Sequence, residues 1–199
     1  MSAAARRIAI VLFDGVEELD AVGPWEVLAA WTLGWPGDGW EVVCASWGGG
    51  PVTCAKGLVV QAQVACEELG AAEVLVHPGG RGTRPLLADA RHLDWLRARR
   101  QDVPLVTSVC TGALVLAAAG FLAGRPATTH HENLDELAAI DPSIRLRPAE
   151  RFVDDGDVIT SAGVSAGIDM ALHLVARLAG AERARAVRRA IQYDPAPPV

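Results

Sequence analysis

The sequence has 199 residues, of which 51% are hydrophobic and 21% are charged, a balance typical of a globular protein. Its formal net charge of -6 argues against a nucleic-acid partner, because such binding requires many Lys and Arg side chains that neutralise phosphates. We find no apolar stretch long enough to span a membrane and no secretory leader. The sequence therefore predicts one domain over residues 1–199 in the cytoplasm, with four free cysteines.

Short β-rich runs alternate with helical stretches. The expected elements in chain order are a strand at Ile8–Phe13, a helix from Gly23-Pro24 to Leu33, a strand at Trp40–Ser46, a hairpin of Val52–Cys54 and Leu58–Gln61, a strand at Val74–His77, a helix at Leu93–Gln101, a strand at Leu105–Val109, a helix at Gly112–Ala119, a hairpin of Arg151–Asp154 and Asp157–Thr160, and helices at Gly163–Leu178 and Ala181–Gln192. This alternation predicts a three-layer α/β/α fold with a mostly parallel sheet and antiparallel hairpins at its edges.

Three polar or glycine-rich segments follow predicted strands, namely Glu17–Asp20, Pro78–Gly82 and Cys110–Gly112. In a parallel sheet covered on both faces, ligands bind outside the carboxyl ends of the strands. We therefore expect these three segments to meet at one edge of the sheet and to form the functional site.

Cys110 lies between a predicted strand and a predicted helix, in the run Ser108–Gly112. This arrangement is typical of a nucleophile elbow with cysteine in the serine position. The positive end of the helix favours the thiolate, so we expect the pKa of Cys110 to be lowered. The alternative is a buried structural thiol. The cysteines interpreted as structural are Cys44, Cys54 and Cys66.

A catalytic cysteine needs a proton-transfer partner. Asp20 follows the first strand and is one candidate, with Glu17 and Glu18 as rivals. His130 is another candidate, and would form a Cys–His dyad unless it only begins a helix. The histidines interpreted as incidental are His77, His92 and His173.

Other ligand sites receive less support. His131 and Asp135 are four residues apart, but no third ligand follows at a telling spacing, so no metal is expected. The glycines that follow the predicted strand Val74–His77 lack the pattern of a dinucleotide or P-loop motif. Gly79 and Gly80 are instead predicted to present backbone N–H groups to a small polar or developing anionic atom.

Several of these motifs together resemble the ThiJ/PfpI superfamily over nearly the whole chain. The similar segments are Ile8–Leu28, His77–Thr83, Val106–His130, Thr160–Gly180 and Gln192–Val199. Within the superfamily the chain is most similar to the isocyanide hydratase branch and its AraC-regulator relatives. The features that indicate this branch are Asp20, Thr111 and the ending Tyr193-Asp194-Pro195-x-Pro197-Pro198.

The resemblance implies a flavodoxin-like fold, a homodimer, and no metal or organic cofactor. It implies that Cys110 attacks the terminal carbon of an isocyanide to give a thioimidate, which water converts to an N-substituted formamide. Asp20 would shuttle protons and position water, and Thr111 would hydrogen-bond near the sulfur or the substrate. The implied substrate contacts are Gly79, Gly80 and His130.

Two alternatives stay open. One is a glyoxalase, amidase or peptidase that uses Cys110 with His130, and the other is a non-catalytic ligand or oxidation sensor. The isocyanide hydratase branch usually has Thr-Thr-His-Trp where this chain has Thr128–His131, which leaves the substrate open. No helix-turn-helix extension is recognisable, so we do not expect the chain to act as an AraC-type regulator by itself.

Overall fold

The computed structural model describes residues 5–195. Its strands are β1 (Arg6–Leu12), β2 (Trp40–Ser46), β3 (Pro51–Thr53), β4 (Val59–Gln61), β5 (Val64–Ala65), β6 (Val74–His77), β7 (Leu105–Val109), β8 (Pro126–Ala127), β9 (Arg145–Leu146), β10 (Phe152–Asp154) and β11 (Val158–Ser161). Its helices are α1 (Glu18–Gly34), α2 (Thr83–Leu86), α3 (Ala90–Asp102), α4 (Gly112–Ala118), α5 (Leu134–Ile140), α6 (Ala166–Ala179) and α7 (Ala181–Ala190). None of these helices is long and apolar enough to cross a membrane.

Seven strands form the main sheet, in the order β10-β11-β7-β6-β1-β2-β5. Neighbouring strands run parallel except for the antiparallel pair β10 and β11. The predicted hairpin of β3 and β4 forms and is antiparallel, but it is a separate sheet rather than an edge of the main one, where β10 and β11 lie as expected. Helices flank the mostly parallel sheet, so the expected α/β/α fold is confirmed.

The central strands β6, β7 and β11 are buried at every residue, and β1 is buried from Ile8 onward. Because both faces of these strands are covered, their sequences contain continuous apolar or small residues rather than an alternating pattern. The sheet is therefore a rigid platform for the loops that leave its carboxyl edge.

The first helix differs from the expectation. It begins at Glu18, five residues before Gly23, and contains Pro24 in its interior. Proline cannot donate the helical hydrogen bond to the carbonyl of Asp20, but burial of residues such as Trp31 keeps the helix intact. The consequence is functional, because Asp20 now lies in the first turn of α1 instead of in a loop.

Several short elements were not predicted from the sequence, namely β5, α2, β8, β9 and α5. Each has seven residues or fewer, too short for a periodic pattern to emerge. The last part of the C-terminal motif, Pro197 and Pro198, lies outside the described residues.

Candidate active site

The strand order brings the three expected segments together. In the sheet β6 lies between β1 and β7, and all three run in the same direction. Asp20 follows β1, Gly79 and Gly80 follow β6, and Cys110 follows β7. The expected clustering at one edge is therefore present in the structure.

Cys110 has the backbone conformation of a nucleophile elbow. Its φ angle is 56°, in the left-handed region that non-glycine residues rarely adopt. The Cys110 N–H donates to the carbonyls of Ser161 (3.1 Å) and Ala162 (3.2 Å), and the Thr129 hydroxyl donates to the Cys110 carbonyl (2.8 Å). These bonds to the end of β11 and to Thr129 hold Cys110 in its strained conformation, where it is 6% exposed and lines a cleft.

The environment of the thiol reverses the expected direction of its pKa. Burial, followed by the nearby Asp20 carboxyl, raises the pKa of Cys110 to about 12. The backbone N–H groups of Thr111 and Val164 act in the opposite sense, because they favour the thiolate. The expectation of a lowered pKa is wrong here because burial and the Asp20 carboxyl outweigh the N–H groups of Thr111 and Val164. Cys110 is therefore a thiol at neutral pH until a base removes its proton.

Val164 is a residue of the cleft that the sequence did not reveal. It lies between β11 and α6 and has a φ angle of 48°, unusual for a β-branched residue. That conformation accompanies a backbone N–H beside the Cys110 sulfur. No sequence pattern marks it, because the loop meets Cys110 only through the pairing of β11 with β7.

Asp20 is fully buried beside Cys110. Its Oδ2 accepts a hydrogen bond from the Gly79 N–H at 3.0 Å, whereas its Oδ1 has no hydrogen-bond partner among residues 5–195. The pKa of Asp20 is raised to about 7, chiefly by burial and also by the nearby Glu17 charge. The hydrogen bond from the Gly79 N–H acts in the opposite sense, because it stabilises the carboxylate. A carboxyl group that titrates near neutral pH can both donate and accept a proton there.

The two rival carboxylates have other roles. Glu17 forms an ion pair with Lys56, and Glu18 accepts a hydrogen bond from the Lys56 backbone N–H at 2.6 Å. Glu17 also contributes to the cleft wall, and its backbone N–H donates to the Gly79 carbonyl at 2.9 Å. Asp20 is thus the carboxyl group placed against the Cys110 thiol.

Gly79 and Gly80 do not offer free N–H groups to a ligand, which corrects the sequence expectation. The Gly79 N–H is bound to Asp20, and the Gly80 N–H donates to the Thr111 hydroxyl at 2.9 Å. A Cβ at Gly79 would lie 2.7 Å from Asp20 Oδ2 and 2.5 Å from the Thr111 nitrogen. The absence of a side chain at Gly79 therefore lets its backbone lie directly against Asp20 and Thr111, while Gly80 lines the cleft.

Thr111 faces the loop after β6 through its hydroxyl, which bonds to Gly80, and faces the sulfur through its backbone N–H. The cleft in front of these groups has a volume of about 400 Å³. Its lining residues are Glu17, Gly80, Arg81, Arg84, Cys110, Thr111, His130, Glu132, Asn133 and Val164. The cleft is large enough for a small molecule.

His130 lines the cleft but is not arranged as the base of Cys110. Its Nδ1 accepts a hydrogen bond from the Glu132 N–H at 3.3 Å, and its ring lies tilted against that of His131, with 4.4 Å between the ring centres. A Cβ on Gly163 would lie 2.2 Å from the ring of His130, so the glycine provides the space for it. No hydrogen bond joins His130 to Cys110 within the described residues.

The remaining candidates lie elsewhere. His131 and Asp135 are both exposed, and residues 5–195 contain no cluster of three or more His, Cys, Asp or Glu side chains that could hold a metal ion. Burial raises the pKa values of Cys44 and Cys66 to about 12 and also raises that of Cys54. The three other cysteines are buried and unbridged.

Comparisons with known proteins identify the family of this chain. The chain is 39% identical over 197 residues to an isonitrile hydratase from Pseudomonas putida, covering 98% of this chain and 81% of that protein. It is 36% identical over 149 residues to the HTH-type transcriptional regulator CdhR from Pseudomonas aeruginosa, covering 73% of this chain and 42% of the regulator. The crystal structure of a ThiJ/PfpI family protein from Pseudomonas syringae superposes with a TM-score of 0.85 at 32% identity, covering 98% of this chain and 78% of that one. Residues 6–177 match the model of the DJ-1/PfpI family, to which this protein therefore belongs.

Proposed function

We propose that this protein hydrates isocyanides to N-substituted formamides, with Cys110 as the nucleophile and Asp20 as the acid and base. The observation that carries the proposal is the Asp20 carboxyl group, which is fully buried and lies against the Cys110 thiol. The similarity to the isonitrile hydratase of Pseudomonas putida supports the choice of substrate class. A single domain is proposed to carry the whole activity.

The first half of the reaction forms a thioimidate. Asp20 as a carboxylate takes the thiol proton while the Cys110 sulfur bonds to the terminal isocyanide carbon. Asp20 then returns the proton to that carbon, which leaves a C=N double bond and a new C–S bond. The N–H groups of Thr111 and Val164 stabilise negative charge on the sulfur as it develops.

The second half consumes water. Asp20 takes a proton from a water molecule as the water oxygen bonds to the thioimidate carbon, and Asp20 then passes that proton to the substrate nitrogen. The C–S bond then breaks, the sulfur recovers its proton from the new hydroxyl group, and the formamide leaves. A carboxyl group with a pKa of about 7 suits both directions of transfer.

A second candidate function, a glyoxalase or peptidase that depends on His130, is tested by His130→Ala. Because the Nδ1 atom of His130 is bound to the backbone of Glu132, we expect a loss of isocyanide hydration of less than about 10-fold, less than expected for a general base. Rates are measured with an alkyl isocyanide, methylglyoxal and a fluorogenic peptide. Complete loss in this variant, with turnover of methylglyoxal or peptide by the wild type, would favour the second candidate.

We further propose that the protein is a homodimer. Large apolar side chains are exposed at Leu19 and Val22 of α1 and at Leu58 and Val59 of the β3–β4 hairpin. The hairpin is tied to the start of α1, because the Ala55 N–H donates to the Val16 carbonyl at 2.7 Å. These side chains therefore lie in one region of the surface, which a second copy would cover. The cytoplasmic location stays a prediction.

Light scattering after size exclusion tests this dimer. The wild type is expected at twice the chain mass of 20.9 kDa, and the double variant Leu58→Lys with Val59→Lys at the single mass, because buried charges oppose association. Leu33→Lys is the matched control, since Leu33 is exposed at the far end of α1. A wild type of 20.9 kDa, or a double variant that stays dimeric, would contradict the proposal.

A further inference from the structure

A buried chain of hydrogen bonds leads from Trp47 to the loop after β6. The Trp47 Nε1–H donates to His92 Nδ1 at 3.2 Å, and the Nε2 atoms of His92 and His77 are 2.9 Å apart. The Nδ1 atom of His77 is 2.9 Å from the Pro78 carbonyl. Both histidines are fully buried, and the sequence interpretation of them as incidental did not anticipate these hydrogen bonds.

Chemistry fixes the direction of every bond in this chain. Indole nitrogen is only a donor, so Nδ1 of His92 must accept and its Nε2 carries the hydrogen. His77 therefore accepts at Nε2 and donates from Nδ1, because the Pro78 carbonyl is only an acceptor. Burial lowers the pKa of both imidazoles, to about 3 for His77 and about 4 for His92, so both rings are neutral at pH 7.

This row of hydrogen bonds ends at the peptide group next to the Asp20 carboxyl. The Pro78 carbonyl and the Gly79 N–H belong to the same planar peptide unit. A hydrogen bond to that carbonyl polarises the unit and strengthens its N–H as a donor. The Gly79 N–H donates to Asp20 Oδ2, so the aligned bonds run from Trp47 to Asp20 without interruption.

We propose that His77 and His92 are positioning residues that hold the Pro78–Gly79 peptide with its N–H directed at Asp20, thereby stabilising the Asp20 carboxylate. The inference rests on the proposed catalytic role of Asp20. Other groups also act on the two ends of the chain. Asp20 faces the charges of Glu17 and Lys56 and the Cys110 thiol. At the other end Asp89 faces His92, and the Arg91 guanidinium lies 4.0 Å from the centre of the Trp47 ring.

The test compares His77→Phe, which keeps a ring but neither hydrogen bond, with His77→Asn, which keeps a donor at the same distance along the side chain. Infrared difference spectra between each protein and its Asp20→Asn counterpart follow the Asp20 carboxyl directly as a function of pH. The pH dependence of Cys110 alkylation by iodoacetamide provides a second measurement. Neither measurement requires turnover.

We expect His77→Phe to raise the Asp20 titration midpoint by about 0.3 pH units or more, because it removes a cooperative donor. His77→Asn, which keeps the donor to Pro78 but loses the bond to His92, should return the midpoint most of the way to the wild-type value. In hydration assays kcat should change and KM should stay within about two-fold, since substrate contacts are untouched. Trp47→Phe changes the half-buried outer end of this row of hydrogen bonds and should raise the Asp20 midpoint by a smaller amount. It replaces His77→Phe as the test if that variant does not fold.

An Asp20 midpoint that is equal in wild type, His77→Phe and Trp47→Phe would overturn the inference, even if melting temperatures fall, because the chain would then serve packing alone. A shifted midpoint in a protein that does not hydrate isocyanides would overturn the proposed function and leave the inference standing. The two failures are therefore distinguishable.

Discussion

Asp20→Asn is expected to lower kcat for isocyanide hydration by about 100- to 10,000-fold, the usual range for a lost general acid or base. The same variant should make Cys110 react faster with iodoacetamide at pH 8. The reason is that the Asp20 charge raises the pKa of the thiol, so a neutral amide increases the thiolate fraction. Turnover and thiol reactivity should thus change in opposite directions.

Asp20→Asn should also stabilise the folded protein at neutral pH and above. Because the folded-state pKa of Asp20 is raised from 3.8 to about 7, its contribution to stability is lost as the pH rises from about 4 through 7. The free energy of unfolding of the variant should exceed that of the wild type at pH 8, and this gain should vanish near pH 4. Denaturant titrations at pH 8 and pH 4 measure the difference in unfolding free energy between the variant and the wild type.

Asp135→Asn is the matched control for these experiments. Asp135 is an exposed carboxylate on α5, outside the cleft, so its loss should change neither kcat nor the alkylation rate. If Asp20→Asn keeps wild-type turnover, or if its Cys110 reacts more slowly than in the wild type, the assigned coupling between the two side chains is wrong.

The second large effect is expected for Gly79→Ala. The added Cβ would lie 2.5 Å from the Thr111 nitrogen and 2.7 Å from Asp20 Oδ2, distances that real Cβ atoms do not sustain. Both neighbours are buried, so the strain should cost about 1–3 kcal/mol of folding free energy. Displacing Asp20 from Cys110 should lower kcat/KM by about 100-fold.

Gly34→Ala provides the comparison for Gly79→Ala. Gly34 ends α1 and has no atom within 4 Å of an added Cβ, so alanine there should leave stability and turnover near the wild-type values. Urea denaturation and initial rates are measured on both variants. Wild-type kcat/KM in a folded Gly79→Ala protein would contradict the role of Gly79 as the contact between Asp20 and Thr111.

The parts of the site predictable from the sequence are those fixed by local pattern. The strand before Cys110 and the helix after it are adjacent in sequence, so the elbow follows from residues 105–118 alone. The parallel order of β1, β6 and β7 then brings Asp20 and Gly79 to the same edge. The alternation of strands with helices predicts a parallel sheet but not the exact strand order. A parallel sheet is enough to locate the site, because ligands bind at the carboxyl ends of its strands.

The remaining features depend on contacts between distant segments. The pKa of Cys110 is set by burial and by Asp20, which is 90 positions away, and Val164 reaches the sulfur only through the pairing of β11 with β7. The Gly79 N–H faces a carboxylate in α1 rather than a ligand because α1 begins earlier than its proline suggests. Local propensity contains no information about such pairings.

The most direct measurement of the central claim is the initial rate of formamide production from a simple alkyl isocyanide by the purified wild type and by Cys110→Ser. We expect robust turnover in the wild type and a loss of at least about 1,000-fold in Cys110→Ser, because a serine hydroxyl is a far weaker nucleophile than a thiolate. No formamide from the wild type, or equal rates in the two proteins, would contradict hydration through Cys110.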